Sequence, residues 1–378
     1  MRISHVCPFV GEQLGGSERY VYSLSRFQSS MHDVHVFTTT RIREKIGVTE
    51  NDGVTYHRSY APITIWNINP MTFMLPGLLR SASDVYHIHS HLYLLSNQAV
   101  LARRIVGGKS LVHLHGGVGL PPQGAPMTRK VAKYVYDQTL GRMTVLYADC
   151  LASVSYADID MVSRMYSLPT GYIHYVPNAI DTEMFQPSQN KEERDRCTIL
   201  FVGDLESWKG VDLLVKWVKE SIRRKDLRFT LRFVGQGALY PELVNLRETC
   251  IRQDSPIGVE ILGQRSHSEI PLLMRSADAL ILPSRWEGTP TVVLEAMASG
   301  LPAICTPVGD VSRIIQHGEN GLILNASYNG FRDAISFVAD NPAEIKRITR
   351  NAREKATGEF GLQQVCKKLD DLYRAMVS

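Results

Sequence analysis

The chain has 378 residues, 44% apolar and 21% charged, with a formal net charge of +4. That length exceeds one ordinary core and suits two domains, and the composition excludes a disordered chain. No apolar run approaches the ~18 residues of a membrane-spanning helix, so none is expected. No charged leader with an apolar core precedes the first strand-like run, which argues against export. Six cysteines stand apart at 7, 150, 197, 250, 305 and 366. Without a C-x-x-C pair they suggest neither a zinc knuckle nor a disulfide framework, and a reducing cytoplasm fits best. Residues 1–180 carry 16 Lys+Arg and 11 Asp+Glu (+5), and the remainder 26 and 27 (−1). The bias suits an anionic partner such as phosphate or a lipid surface, or is ordinary scatter.

In chain order, strands are expected at Ile3–Val6, Val34–Thr38, Val85–His89, Leu111–Leu114 and Leu151–Val154. Most are almost continuously apolar or β-branched, as strands covered on both faces are. Helical patterns lie between them, at Glu18–Gln28 and Met127–Thr139 among others. Repeated β-α units predict a parallel, doubly wound sheet. The turn-rich run Val176-Pro177-Asn178-Ala179-Ile180-Asp181, followed by the charged Lys191–Arg196, reads as a hinge. The pattern restarts at Thr198–Val202, Thr230–Val234, Val259–Leu262, Ala279–Leu282, Ala303–Thr306 and Leu322–Leu324. A last polar-apolar helix runs from about Gly358 to the end. Two such sheets leave a cleft, and ligands of doubly wound sheets sit outside the carboxyl ends of the strands.

The most informative stretch runs from Pro283 to Gly300. Thr289 suits an N-cap and Pro290 the first helical position. The free amides of Thr291 and Val292 then point out of a helix end that favours a phosphate. Glu295 stands in a helix body apolar almost all round, where an unpartnered carboxylate is rare. Glu287 lies in the loop ahead of that helix. The two acids either grip ligand hydroxyls beside a bound phosphate or pair with an arginine such as Arg285.

Other strand ends carry weaker signals. Gly15 and Gly16 precede a helix and allow close backbone approach, but the G-x-G-x-x-G spacing is absent. Lys209 beside Gly210 reads as a phosphate charge or a solvated lysine, without the Walker spacing. His113 and His115 share one strand face, and His87, His89 and His91 also alternate on one face of theirs. Three same-face histidines bind a metal or, the simpler reading, hydrogen-bond to neighbours at a sheet top. Asp158-Ile159-Asp160 reads as acids in a first helical turn. The basic, apolar segment Met127–Leu146 either lies on an anionic membrane or covers a sheet.

Taken together these residues resemble glycosyltransferase family 4, retaining enzymes of the GT-B fold. The resemblance runs over essentially the whole chain: Gly15-Gly16, His115-Gly116, Pro177 to Asp181 with Phe185 and Pro187, Gly203 to Gly210, and Gly235-Gln236-Gly237. It continues through Ala277-Asp278, Pro283-Ser284, Glu287 to Pro302 and Asn320-Gly321-Leu322. It implies an α/β architecture of two doubly wound, parallel-sheet, Rossmann-like domains facing across a cleft. Residues 1–180, joined by a C-terminal helix at about 359–378, would form the acceptor side, and 181–358 would bind the nucleotide sugar. Glu295 would hold the ribose, and Glu287 with Gly288 the donor sugar. The segment Thr289-Pro290-Thr291-Val292 and Lys209 would take the diphosphate. Gly16 would let the first domain close on it, and His115 would face the sugar near the reacting carbon. Gly263 and Arg265 would border the base.

Asp204 departs from the family's usual arginine, so Lys209 and the helix end, or Arg265 or Arg285, would have to neutralise the diphosphate. The implied reaction is transfer of a sugar from a UDP-, GDP- or ADP-sugar to a hydroxyl of a glycan, lipid-linked or small-molecule acceptor. Retention is expected, with no cofactor and no metal. A non-catalytic nucleotide-sugar-binding subunit and an epimerase on the same fold are the alternatives. Contact with an anionic membrane through the N-terminal domain is expected, at the inner face of the cell membrane. No nucleic-acid role is, because no basic face carries interleaved aromatics.

Overall fold

The computed structural model describes residues 1–11, 16–65, 69–116, 126–188 and 196–378. Met1–Ala179 with Leu362–Ser378 form one compact unit, and Ile180–Gly361 form the other.

In the first unit the strands are β1 (Arg2–Val6), β2 (Asp33–Thr40), β3 (Gly47–Asn51), β4 (Val54–Tyr60), β5 (Ile63–Ile65), β6 (Asn69–Met71), β7 (Val85–His89), β8 (Lys109–Leu114), β9 (Cys150–Ser153) and β10 (Ile173–Tyr175). Eight of them form one sheet in the order β10-β9-β8-β7-β1-β2-β4-β3, with β5 and β6 paired separately. All pairs in the large sheet are parallel except β3 with β4. The chain leaves β1 towards β2 and later crosses to β7 on the other side, so the strand order reverses between β1 and β7.

Every strand expected in this half is present, with ends shifted by two residues or fewer. Four of the added strands, β3 to β6, lie between Gly47 and Met71, and β10 is the sheet's far edge. They are edge or half-exposed elements: β3 is exposed throughout. β4 alternates apolar and polar residues instead of forming an apolar run.

Helix Gly16–Gln28 buries Tyr20, Val21 and Leu24 in a core shared with Val365, Cys366, Leu369 and Tyr373 of helix Leu362–Val377. A 2.6 Å bond from His32 Nε2 to Asp370 Oδ1 reinforces that docking. The last helix starts later than about Gly358. Residues Ala356–Phe360 prolong the preceding helix, Pro342–Lys355, as a π turn that buries Phe360.

Helix Met127–Tyr136 corrects the reading that it covers a sheet. None of its residues is buried, and Met127, Val131, Tyr134 and Val135 are exposed. The helix passes into a π turn, Asp137–Gly141, before Arg142–Leu146 packs inward through Thr144 and Val145.

The second unit contains β11 (Cys197–Val202), β12 (Phe229–Val234), β13 (Gly258–Ile261), β14 (Ala279–Leu282), β15 (Ala303–Cys305) and β16 (Leu322–Ile323). They form one parallel sheet in the order β13-β12-β11-β14-β15-β16. Each matches an expected strand to within a residue or so. The order reverses between β11 and β14, and the loops leaving these two strands flank that point. The Arg353 guanidinium donates to Thr182 O, Phe185 O and Ala298 O, tying the unit's first turn to the end of helix Thr291–Ala298.

Unit one holds ten of the 12 histidines, and burial lowers most of them. His5, His57 and His113 fall to about 4 and His91 to about 3, from an ordinary 6.5, with burial the largest cause in each. His87, His89 and His115 fall well below it. As the pH drops through 6.5 an unfolded chain takes up protons that these folded rings refuse, so stability is full above that value and is lost towards 4. The melting temperature of unit one is expected to fall between about pH 7 and about pH 5, while unit two, with two histidines, changes less. A calorimetric scan across that range in which unit one melts at constant temperature would contradict this.

Candidate functional site

In unit two the loops after β11 and β14 are fastened to each other before any ligand is considered. Gly210 has φ +77°, and a Cβ there would sit 2.0 Å from Pro283 O, so only glycine allows this approach. The Arg285 amide donates to Trp208 O at 2.8 Å. The Arg285 guanidinium grips both oxygens of Asp212 at 2.7 Å and also bonds Ser207 O. Arg285 is therefore a staple between loops. It neither pairs with Glu287 nor stands free to replace the arginine missing at Asp204.

This fastening brings Lys209 to Glu287. Lys209 Nζ donates to Glu287 Oε1 at 2.6 Å, and Ser284 Oγ donates to the same oxygen at 2.6 Å. The side chains are 14% and 7% exposed, so the pair is largely withdrawn from water. Both bonds fall on Oε1, and Oε2 has no protein partner among the described residues. Lys209 also lies 4.5 Å from the centre of the Trp208 ring. Glu287 is clamped from behind by Gly309, whose φ is +56° and where a Cβ would meet Glu287 O at 2.1 Å. The Asp310 amide donates to Gly288 O at 3.0 Å.

Thr289 is not the N-cap. Its hydroxyl donates to Asp310 Oδ2 at 3.1 Å, and Pro290 takes an extended ψ of 107° ahead of a helix that begins at Thr291. A tertiary partner has outcompeted the local cap. The Val293 amide closes the first turn on Pro290 O at 3.1 Å, which leaves the amides of Thr291 and Val292 at the helix mouth. Val293 to Ala298 are all buried.

Glu295, at 5% exposure, accepts a 2.9 Å bond from His267 Nε2 on Oε1. The partner of this buried carboxylate is a histidine, not an arginine. His267 sits in a short 3-10 turn set by a capping box between Ser266 and Glu269. Ser266-x-x-Glu269 was the sequence signal that could have placed it; Ser284 had none.

Asp204 is exposed. Arg265 is half-exposed and pairs with Glu269 at 3.3 Å. Gly263 has φ +71°, and its carbonyl accepts the Gly235 amide at 2.9 Å.

In unit one Gly16 opens helix Gly16–Gln28, while Gly15 lies outside the described residues. The histidines form two hydrogen-bonded rows. One runs Gln28 Oε1–His5 Nε2 (2.9 Å), His5 Nδ1–His89 Nε2 (3.0 Å) and His89 Nδ1–His115 Nε2 (2.9 Å). The other runs Tyr373 OH–His87 Nδ1 (2.6 Å), His87 Nε2–His113 Nδ1 (3.1 Å) and His113 Nε2–Val176 O (3.1 Å). The rings thus bond to one another, as the simpler reading has it. His91 does not join them: it is fully buried with Nε2 3.9 Å from Asp137. Asp158 lies in the first turn of Tyr156–Tyr166, its amide bonded to the Ser155 cap.

Two family models cover nearly the whole chain: "Glycosyltransferase Family 4" over residues 14–184 and "Glycosyl transferases group 1" over residues 182–355. The chain is 24% identical to the phosphatidylinositol N-acetylglucosaminyltransferase gpi3 subunit of Schizosaccharomyces pombe, over 99% of this chain and 80% of that protein. Among solved structures it is similar to a sucrose-phosphate synthase from Thermosynechococcus elongatus (TM-score 0.77, 20% identity, 99% of this chain and 98% of that one). It is also similar to the Anabaena protein HepE in complex with UDP (TM-score 0.76, 15% identity, 99% of this chain and 100% of that one). Two doubly wound sheets, each with its strand order reversing beside β1 or β11, and these matches end to end make the chain a member of glycosyltransferase family 4, with the GT-B fold.

Proposed function

We propose that this chain moves a sugar from a nucleoside diphosphate to an acceptor hydroxyl, with retention at the anomeric carbon and without a metal ion. The observation that carries the reading is the Lys209–Glu287–Ser284 cluster, held where the strand order of unit two reverses. Lys209 keeps two further N–H donors for a diphosphate, and the Thr291 and Val292 amides at the mouth of the helix offer two more. Glu287 Oε2 and the second oxygen of Glu295 accept from sugar and ribose hydroxyls respectively. UDP is the first donor base to test, since a structure of the same fold holds UDP.

As the bond from the anomeric carbon to the phosphate oxygen breaks, that oxygen gains negative charge. Donors already fixed in place stabilise it without reorganising, each typically worth about a hundred- to a thousand-fold in rate. The acceptor hydroxyl attacks from the face the phosphate leaves, and its proton passes to the departing phosphate oxygen, which gives retention without a protein nucleophile. Asp204 favours a second reading, a donor-binding subunit that transfers nothing by itself. It is exposed, and the two arginines expected to compensate, Arg265 and Arg285, pair with Glu269 and Asp212.

Glu287→Gln preserves the shape and the Ser284 contact but leaves the Lys209 ammonium without its counter-charge, so it is expected to lower kcat about a hundred-fold or more and to lower the melting temperature of unit two, with wild-type turnover unaffected by a chelator. Unchanged turnover in Glu287→Gln overturns the assignment. Donor binding by the wild type without transfer to any acceptor selects the second reading.

The acceptor class we propose is lipid-linked, and the supporting feature is helix Met127–Tyr136. Its exposed Met127, Val131, Tyr134 and Val135 share one face, with Lys130 alongside, in a half of the chain that is net positive. Such a face suits an anionic lipid surface. Among the described residues no helix is long and apolar enough to cross a membrane, so the contact would be peripheral. The protein should co-sediment with vesicles containing an anionic lipid, and the double variant Val131→Asp, Val135→Asp should stay in the supernatant. Equal sedimentation of the two proteins would contradict this.

A further inference from the structure

Each of the two histidine rows of unit one has a direction, and one of them ends at His115. Burial keeps His5, His87, His89, His113 and His115 neutral near neutral pH. A neutral imidazole has one N–H and one lone pair, so an acceptor at one end of a row dictates every proton along it. Val176 O can only accept. His113 Nε2–H therefore donates to it, His87 Nε2–H donates to His113 Nδ1, and the Tyr373 O–H donates to His87 Nδ1.

The other row ends on the Gln28 side-chain carbonyl, 2.9 Å from His5 Nε2, which can only accept, while the Gln28 amide nitrogen has no partner among the described residues. His5 Nε2–H donates to that carbonyl, His89 Nε2–H donates to His5 Nδ1, and His115 Nε2–H donates to His89 Nδ1. His115 Nδ1 remains a buried lone pair without a partner among the described residues. The Tyr20 ring, centred 5.0 Å from the His115 ring, holds it in place.

Resting on the transferase reading, we propose that Gln28, His5 and His89 are positioning residues that fix His115 in its Nε2–H tautomer, so that Nδ1 is held as a hydrogen-bond acceptor for a ligand hydroxyl. The same rings include two triads with nitrogens within 4.8 Å of one another, a spacing that a metal ion could use. Every nitrogen of these rings except His115 Nδ1 already bonds to a neighbour, and a cation would have to displace the row.

Isotope-labelled histidine and long-range proton–nitrogen correlation read ring tautomers without any donor sugar, with His115 assigned by comparison with His115→Asn. The wild type should show His115 protonated on Nε2 alone. Gln28→Leu removes the terminal acceptor and should move or mix that tautomer, with kcat for transfer falling about ten-fold and KM unchanged. Gln28→Glu still accepts from His5 and should restore both readouts. His115 protonated on Nδ1 in the wild type overturns the proposal, as does an unchanged tautomer in folded Gln28→Leu, or stoichiometric Zn2+ uptake by the wild type. If the tautomers behave as stated and no protein transfers sugar, the row stands and the transferase reading fails.

Discussion

Lys209 and Glu287 lie 78 residues apart, and they meet because β11 and β14 are neighbours although the chain visits two other strands between them. The pair is costly to bury and poorly replaced by water. At 7% exposure the carboxylate takes its hydrogen bonds from the Lys209 ammonium and the Ser284 hydroxyl. The surroundings are built to that end. Gly210 and Gly309 let backbone approach where a Cβ would clash, and Arg285 closes the loop edge on Asp212. One carboxylate oxygen and part of one ammonium are left unsatisfied by protein. That is an incomplete polar site, and incompleteness in a buried place is what a polar ligand completes.

Unit one solves a different problem at the matching position. Five imidazoles and two phenols stand at the carboxyl ends of β1, β7 and β8, where the strand order also reverses. Charging the imidazoles there would be severe, so they stay neutral and bond to one another in rows, with Tyr373 at the end of one. The C-terminal helix takes part through Tyr373, whose hydroxyl lies 2.6 Å from His87 Nδ1.

The parallel strands were legible because both their faces are covered, which writes a continuous apolar run into the sequence; Val85–His89 and Ala279–Leu282 are found residue for residue. The edge strands β3 and β4 were not, since a half-wet strand alternates and carries no such run. Glu295 stood out because a carboxylate breaks an apolar helix, but its partner His267 comes from another loop and no local pattern joins the two. Thr289 failed for the opposite reason. Its local cap signal was sound, and Asp310, 21 residues on, took the hydroxyl instead. For Met127–Tyr136 the periodicity of an amphipathic helix was right, but periodicity does not say what covers the apolar face.

The role proposed for Glu295 and its loop neighbours is to hold a nucleoside diphosphate. Calorimetric titration of the wild type and Glu295→Ala with UDP measures this. One saturable site is expected in the wild type, weakened about ten- to a hundred-fold in the variant, the size of a lost hydrogen bond to a charged group. Equal affinity of the two proteins for UDP would contradict it.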